Sequence, residues 1–245
     1  MTGTARHYSA PEGTLIYALS DIHGRNDLLR RLLDDIERDA RGIGGDRRLL
    51  VFLGDYIDRG ADSAGAVETL VSGLPDGFER VFLMGNHEDI LLEFLAHGRN
   101  IDHWFSNGAE TTLASYGIDV HSRAWLVPRP EEARTEFAGV LPPTHLDFYR
   151  GLGLSHQEGG YFFAHAGVRP GVPLEAQDRH DLLWIRGEFL RSDEDFGKLV
   201  VHGHTPGDEP VVRGNRICID TRAWQSGRLT ALRLWGSGRT FLATA

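Results

Sequence analysis

Five short apolar runs in this chain each end in a small polar cluster of Gly, Asp, Asn or His, and the first three alternate with helix-length segments. Residues 14–20 (Thr-Leu-Ile-Tyr-Ala-Leu-Ser) read as a buried strand, short and apolar. A helix is expected over 26–40. There Leu28, Leu29, Leu32, Leu33 and Ile36 form one apolar stripe, Arg30, Arg31, Asp34 and Asp35 face away from it, and Gly42, Gly44 and Gly45 close it. Residues 48–53 read as a second buried strand and 63–74 as a helix closed by Pro75-Asp76-Gly77. Residues 78–84 read as a third strand and 88–96 as a third helix. Strand, helix, strand, helix, strand is the pattern of a parallel sheet with crossover helices.

The stretch 98–153 breaks this rhythm. It carries Trp104, Phe105, Tyr116, Trp125 and the prolines Pro128, Pro130, Pro142 and Pro143, with helical character over 131–138 and 144–150 and no catalytic pattern. It reads as an insertion packed on the core of a single domain spanning 1–245. Strands resume at 161–164 and 199–201. The later runs 211–212, 216–219, 229–234 and 239–242, separated by Gly and polar residues, suggest an antiparallel meander.

Composition narrows the function classes. A chain of 245 residues can bury a sizeable core without disulfides or a structural metal. Acidic residues number 35 against 26 basic ones, a net charge of −9, which disfavours non-specific nucleic-acid binding. The single cysteine, Cys218, excludes an intrachain disulfide framework and a Cys-rich zinc site. Residues 1–12 lack the apolar stretch of a signal peptide, and no run has the length of a membrane span. The expectation is a cytoplasmic protein without nucleic-acid or membrane partners.

The chemistry lies in the clusters: Asp21-Ile22-His23-Gly24, Gly54-Asp55-Tyr56-Ile57-Asp58-Arg59-Gly60, Gly85-Asn86-His87-Glu88, His165, and His202-Gly203-His204-Thr205. In open α/β sheets the ligand site lies beyond the carboxyl ends of the strands, so five chain-distant clusters can converge on one crevice. Their inventory of Asp, His, Asp, Asn, His and His mixes hard oxygen donors with imidazole and has no thiolate, which suits Mn, Fe or Zn. Asp21 and His23 are two apart, so at an extended strand end they point to the same face. The glycines permit close backbone approach to an anion. The set is built for a dinuclear metal site that grips a phosphate.

These motifs, spanning residues 20 to 204 and including His165-Ala166-Gly167 and Gly203-His204, resemble the phosphoprotein phosphatase branch of the calcineurin-like metallophosphoesterases. The bacterial members, among them phage-type protein phosphatases and symmetrical diadenosine tetraphosphatases, are similar in length. The resemblance implies that Asp21 and His23 hold a first metal and Asp55 bridges both. Asn86, His165 and His204 would complete the second. It implies His87 as general acid oriented by Asp58, with phosphate oxygens bound by Arg59, Asn86 and a second arginine, Arg186. Two divalent ions are implied, Mn first, with Fe, Zn or Co as alternatives. The implied fold is a four-layer α/β/β/α sandwich of two mixed sheets flanked by helices, the C-terminal meander supplying much of the second sheet. Pro206 stands where many nuclease-type relatives have a second His. His202 precedes the motif and has no implied role.

Three functions follow. The first is a phosphatase acting on phosphoserine or phosphothreonine in proteins, and also on phosphotyrosine, by direct in-line attack of a metal-bridging hydroxide. The second is hydrolysis of a nucleotide pyrophosphate such as diadenosine tetraphosphate, with Trp104, Asn107 and Tyr116 of the insertion as adenine-binding candidates. The third is a non-catalytic phosphate-binding module, which the complete residue set disfavours. The resemblance favours the first. The expected partner is thus a phosphoprotein or a phosphorylated small molecule.

Overall fold

The structure, a computed structural model, describes residues 8–118, 120 and 129–244. Alternation along β1 (Thr14–Leu19) sends Leu15, Tyr17 and Leu19 to one face and Ile16 and Ala18 to the other, and both faces are buried. A strand apolar on both sides needs a layer on each. It pairs in parallel with β2 (Arg47–Phe52), which pairs in parallel with β3 (Glu79–Phe82). The crossovers are α1 (Asn26–Arg41) and α2 (Ser63–Ser72), and α3 (Asn86–His97) follows β3. The expected stripe of α1, from Leu28 to Ile36, is its buried face.

The stretch 98–153 contains α4 (Ile101–Ser106), α5 (Ala109–Ser115), α6 (Pro130–Val140) and α7 (Pro143–Arg150). Trp104, Phe137 and Tyr149 are fully buried and join the same apolar cluster as α1, α2 and α3. Trp125 and Pro128 lie outside the described residues. The second sheet contains β4 (Ser155–Glu158), β5 (Tyr161–Ala164), β6 (Leu199–His202), β7 (Val211–Val212) and β8 (Arg216–Cys218), in the order β4-β5-β6-β8-β7. Its outer face is covered by α8 (Arg179–Trp184) and α9 (Gly187–Leu190), through Leu182, Ile185 and Phe189 packed on Phe162, Ala164 and Val200.

The C-terminal strands depart from the expected meander. β7 and β8 are antiparallel, but β6 and β8 are parallel. After α10 (Ala223–Ser226), β9 (Thr230–Trp235) and β10 (Gly238–Ala243) form a hairpin that joins the first sheet, giving the order β10-β9-β1-β2-β3. The reason is burial: Leu232 and Leu234 of β9 enter the core between the sheets while Ala231 packs on the helical side, so β9 needs a layer on each face, as the first sheet has between the helices and the second sheet. Ile16, Leu49, Val51, Phe163, Val201 and Ile217 fill the space between the two sheets. The expected order of layers, helices, sheet, sheet, helices, is therefore present. Among the described residues no helix is long and apolar enough to cross a membrane.

Candidate active site

The parallel strands β1, β2 and β3 of one sheet and β5 and β6 of the other deliver their carboxyl ends to one crevice. Asp21 and His23 follow β1, Asp55, Asp58 and Arg59 follow β2, and Asn86 and His87 open α3. His165 follows β5 and His204 follows β6. Two glycines let these loops meet. A Cβ on Gly85 would lie 2.1 Å from Asp55 Oδ1, and one on Gly54, whose φ is +97°, would lie 2.4 Å from the Gly85 nitrogen. Of the seven non-glycine residues with positive φ among those described, five are His23, Asp55, Asp58, Arg59 and His204. Backbone strain is thus concentrated at the crevice, where the surrounding packing holds it.

Asp55 is the hub. Its Oδ2 lies 3.5 Å from His23 Nε2 and 3.5 Å from His165 Nε2. Two groups of three potential metal ligands share it: His23, Asp55 and His87, and Asp55, His165 and His204. Asn86 Oδ1 joins the second group, 3.0 Å from His165 Nε2, with His204 Nδ1 3.2 Å from the same nitrogen. Backbone carbonyls set the tautomers: His23 Nδ1 donates to Ile57 O at 2.8 Å and His165 Nδ1 to Leu53 O at 2.9 Å. Each therefore turns an Nε2 lone pair toward Asp55, as a metal-binding imidazole requires.

Asp21 is buried in the same cluster, but its oxygens are engaged by Ser20 Oγ at 2.7 Å and by the His204 amide at 3.1 Å, and it belongs to neither group of three. His202 also stands apart. Its Nδ1 donates to Gly203 O, its ring packs edge-on against Phe189, and burial holds its pKa down to about 3.

His87 is wired differently from the other imidazoles. Its Nδ1 donates to Asp58 Oδ2 at 2.6 Å, and its Nε2 lies 3.8 Å from Asp55 Oδ2. Burial alone would lower its pKa, but the charges of Asp55 and Asp58 and the Asp58 hydrogen bond outweigh it and raise the pKa to about 8. Geometry alone admits His87 as a ligand or as a proton donor. Arg59 Nη1 donates to His23 Nε2 at 3.0 Å, and its guanidinium lies over the Trp224 ring. Arg186 is exposed at the other side, donating to Thr205 Oγ1 at 3.3 Å beside His204.

The charge balance calls for cations. Burial, and after it the charge of Asp55, pushes Asp21 up against the pull of His165; burial and the charge of Asp21 push Asp220 up. Burial also opposes the charge on Asp55, but His165 and His87 hold it well below the usual carboxylate range. Among the described residues none of these three buried carboxylates is ion-paired to Lys or Arg within 4 Å. Burial lowers His23 and His204, keeping them neutral and able to ligate, and His204 Nε2 is buried without a hydrogen-bond partner. Neutral imidazoles, crowded carboxylates and an amide oxygen converging on one point fit a pair of divalent ions.

Several residues that position this site carry no motif in the sequence. Trp104 Nε1 donates to both oxygens of Asp58 at 3.1 and 3.0 Å, and Thr112 Oγ1 donates to Asp58 Oδ1 at 2.6 Å. Trp104 is therefore unavailable as an adenine platform, being fully buried against Asp58, while half-buried Tyr116 has its hydroxyl on His145 and Tyr149. Asn107 caps α4 with its side chain on His103 O. Glu88 accepts from the amides of Asp55, Tyr56 and Gly85 at 2.8–2.9 Å, locking the β2 loop to the start of α3. Unlike Trp104 and Thr112, Glu88 stands in a sequence cluster, Gly85-Asn86-His87-Glu88, but has no implied role there.

The Calcineurin-like phosphoesterase family profile matches residues 14–230. A bis(5'-nucleosyl)-tetraphosphatase (PrpE, asymmetrical) of Anoxybacillus flavithermus is 29% identical over 233 residues, covering 88% of each chain. Its counterpart in Geobacillus thermodenitrificans is 30% identical over 232 residues, again covering 88% of each. Two solved structures share the fold. A cold-active protein-tyrosine phosphatase of a psychrophilic Shewanella has a TM-score of 0.59 at 18% identity, covering 96% of this chain and 83% of its own. A protein serine/threonine phosphatase from Saccharomyces cerevisiae has a TM-score of 0.52 at 16% identity, covering 96% and 80%. The chain belongs to the calcineurin-like phosphoesterase family and is a metallophosphoesterase.

Proposed function

We propose that this enzyme hydrolyses a phosphoanhydride bond of a dinucleoside polyphosphate such as diadenosine tetraphosphate. The observation that carries the hydrolytic reading is Asp55 Oδ2, 3.5 Å from an imidazole nitrogen of each ligand group, the position of a bridging carboxylate. The substrate reading rests on the bis(5'-nucleosyl)-tetraphosphatases, 29–30% identical over 88% of both chains, whereas the likeness to protein phosphatases at 16–18% identity concerns the fold. It reverses the preference that the motifs alone suggested.

In this reading His23, Asp55 and Asp21 would hold one divalent ion and Asp55, Asn86, His165 and His204 the other, Mn first and Fe, Zn or Co as alternatives. Such a pair supplies Lewis-acid activation of water and of the phosphoryl group. The protein does the rest. Arg59, Asn86 and Arg186 bind the non-bridging oxygens and orient phosphorus for in-line attack. His87 Nε2 donates a proton to the departing oxygen, and Asp58, fixed by Trp104 and Thr112, holds the imidazole in the orientation and protonation state that step needs.

The test is a parallel assay of the Mn²⁺-loaded protein on diadenosine tetraphosphate and a phosphothreonine peptide. Nucleotide cleavage with little release from the peptide is expected. Release of phosphate from the peptide alone would overturn the nucleotide reading and restore the protein-phosphatase one, which the motif set of residues 20 to 204 favours.

A further inference from the structure

We propose that Trp224 is the stacking platform for one base of the substrate, the side chain that makes the site select a nucleotide over a simple phosphate ester; this rests on the nucleotide reading above. The chain has five tryptophans. Trp104 is buried on Asp58, and Trp184 is half-buried with its ring edge-on to His204. Trp235 covers Gly45, where a Cβ would come within 2.8 Å of its ring, and Trp125 lies outside the described residues. Trp224 is 39% exposed and lies beside Arg59.

Its position matters more than its exposure. The Arg59 guanidinium carbon lies 5.6 Å from the Trp224 ring centroid, and Arg59 Nη1 lies 3.0 Å from His23 Nε2. Trp224 therefore sits one side chain away from the first ligand group. One face of the ring meets the guanidinium, a cation–π contact that orients Arg59. The exposed part of the ring is where a second planar partner would lie. A base on that ring and its phosphate on Arg59 would be separated by a single ribose, so one nucleotide bridges the two contacts.

The platform is anchored. Arg25 Nη1, from the loop after β1, donates to Ala223 O at 3.0 Å. Asp220 Oδ1 accepts from the Arg222 amide at 2.8 Å, and Ser226 Oγ donates to Thr221 O at 2.7 Å. The short α10 is thus tied both to the loop that carries His23 and to its own flanks, so stacking costs little ordering of the protein.

The experiment compares wild type, Trp224→Ala and Trp224→Phe, each Mn²⁺-loaded, on diadenosine tetraphosphate and on p-nitrophenyl phosphate, which has a ring but no base or ribose. For W224A the ratio of kcat/KM on the nucleotide to kcat/KM on p-nitrophenyl phosphate should fall about tenfold or more, the scale of one lost base–aromatic stack, with most of the loss in KM. W224F should restore most of the ratio. An unchanged ratio in W224A overturns the proposal, as does failure of W224F to recover it. Wild type that turns over p-nitrophenyl phosphate but not the nucleotide would overturn the nucleotide reading itself, a pattern distinct from an unchanged ratio in an enzyme that cleaves both. Circular dichroism and Tm confirm that each variant is folded.

Discussion

The clusters after β1, β2 and β3 and the helical stretch 98–153 reach the paired Asp58 and His87 by opposite routes. The clusters present the reacting groups directly, each at a strand end and each within a recognisable string of residues. The helical stretch presents none. Its Trp104 and Thr112 instead hold Asp58, which holds His87. Substitutions in the clusters should abolish chemistry or metal binding outright, whereas substitutions in the helical stretch should weaken one step in a way that depends on the leaving group.

The largest effect is expected for Asp55→Asn. Loss of an outer hydrogen-bond partner of a metal ligand costs about 10–100-fold in affinity or activity, and a ligand shared by both groups should cost more. Metal content per chain and turnover should both collapse; normal values for either would break the dinuclear assignment. Next comes His87→Asn. A general acid contributes about 10²–10⁴-fold, so turnover of an alkyl phosphate should fall on that scale, and turnover of p-nitrophenyl phosphate, whose leaving group needs little protonation, much less. Equal losses on both substrates would return His87 to the ligand role that its 3.8 Å approach to Asp55 also allows.

Trp104→Phe sharpens the comparison. It keeps the ring in the core but removes the N–H from Asp58. We expect a loss of roughly tenfold, on the lower end of outer-partner effects, with the same alkyl-over-aryl bias as His87→Asn. A loss without that bias would make Trp104 a packing residue only. The proton itself can be followed by NMR in chelator-treated protein. The raised His87 pKa means the imidazole stays protonated past its ordinary value and loses its proton only as pH rises through about 8. Asp58→Asn should shift that titration downward, because it removes a charge and a hydrogen bond that favour the cation. The smallest effect is expected for Tyr116→Phe, inside the helical stretch but away from Asp58. It loses hydrogen bonds to His145 and Tyr149 and should cost about 0.5–1.5 kcal/mol of stability, read as a lower Tm, with turnover unchanged.

Much of the site was legible because strand-end chemistry is local. Asp21 and His23 sit two apart, Asp55 and Asp58 three apart, and Asn86 and His87 are adjacent; each string alone could be an ordinary turn or cap, but five of them in order, each at a strand end, point to one site. Trp104 and Thr112 could not announce themselves. Their partner is 46 and 54 residues away, and an aromatic or a threonine in a helix is ordinary core composition. Trp224 was equally silent, since its meaning lies in Arg59 being over its ring. The C-terminal strands show the same limit. Four apolar runs were readable, but which sheet each would join depended on which faces the rest of the fold left to cover.

The sequence by itself thus determined the parallel pairing of β1, β2 and β3, the helix stripe of α1 and a set of residues whose types suit metal ligation, because periodicity and ligand type are properties of short segments. Tertiary structure alone decided that β9 would complete the first sheet and that Trp104 and Thr112 would hold Asp58. Those outcomes arise from burial and from charge at a few ångströms between chain-distant residues, quantities that exist only once the two sheets have closed on each other.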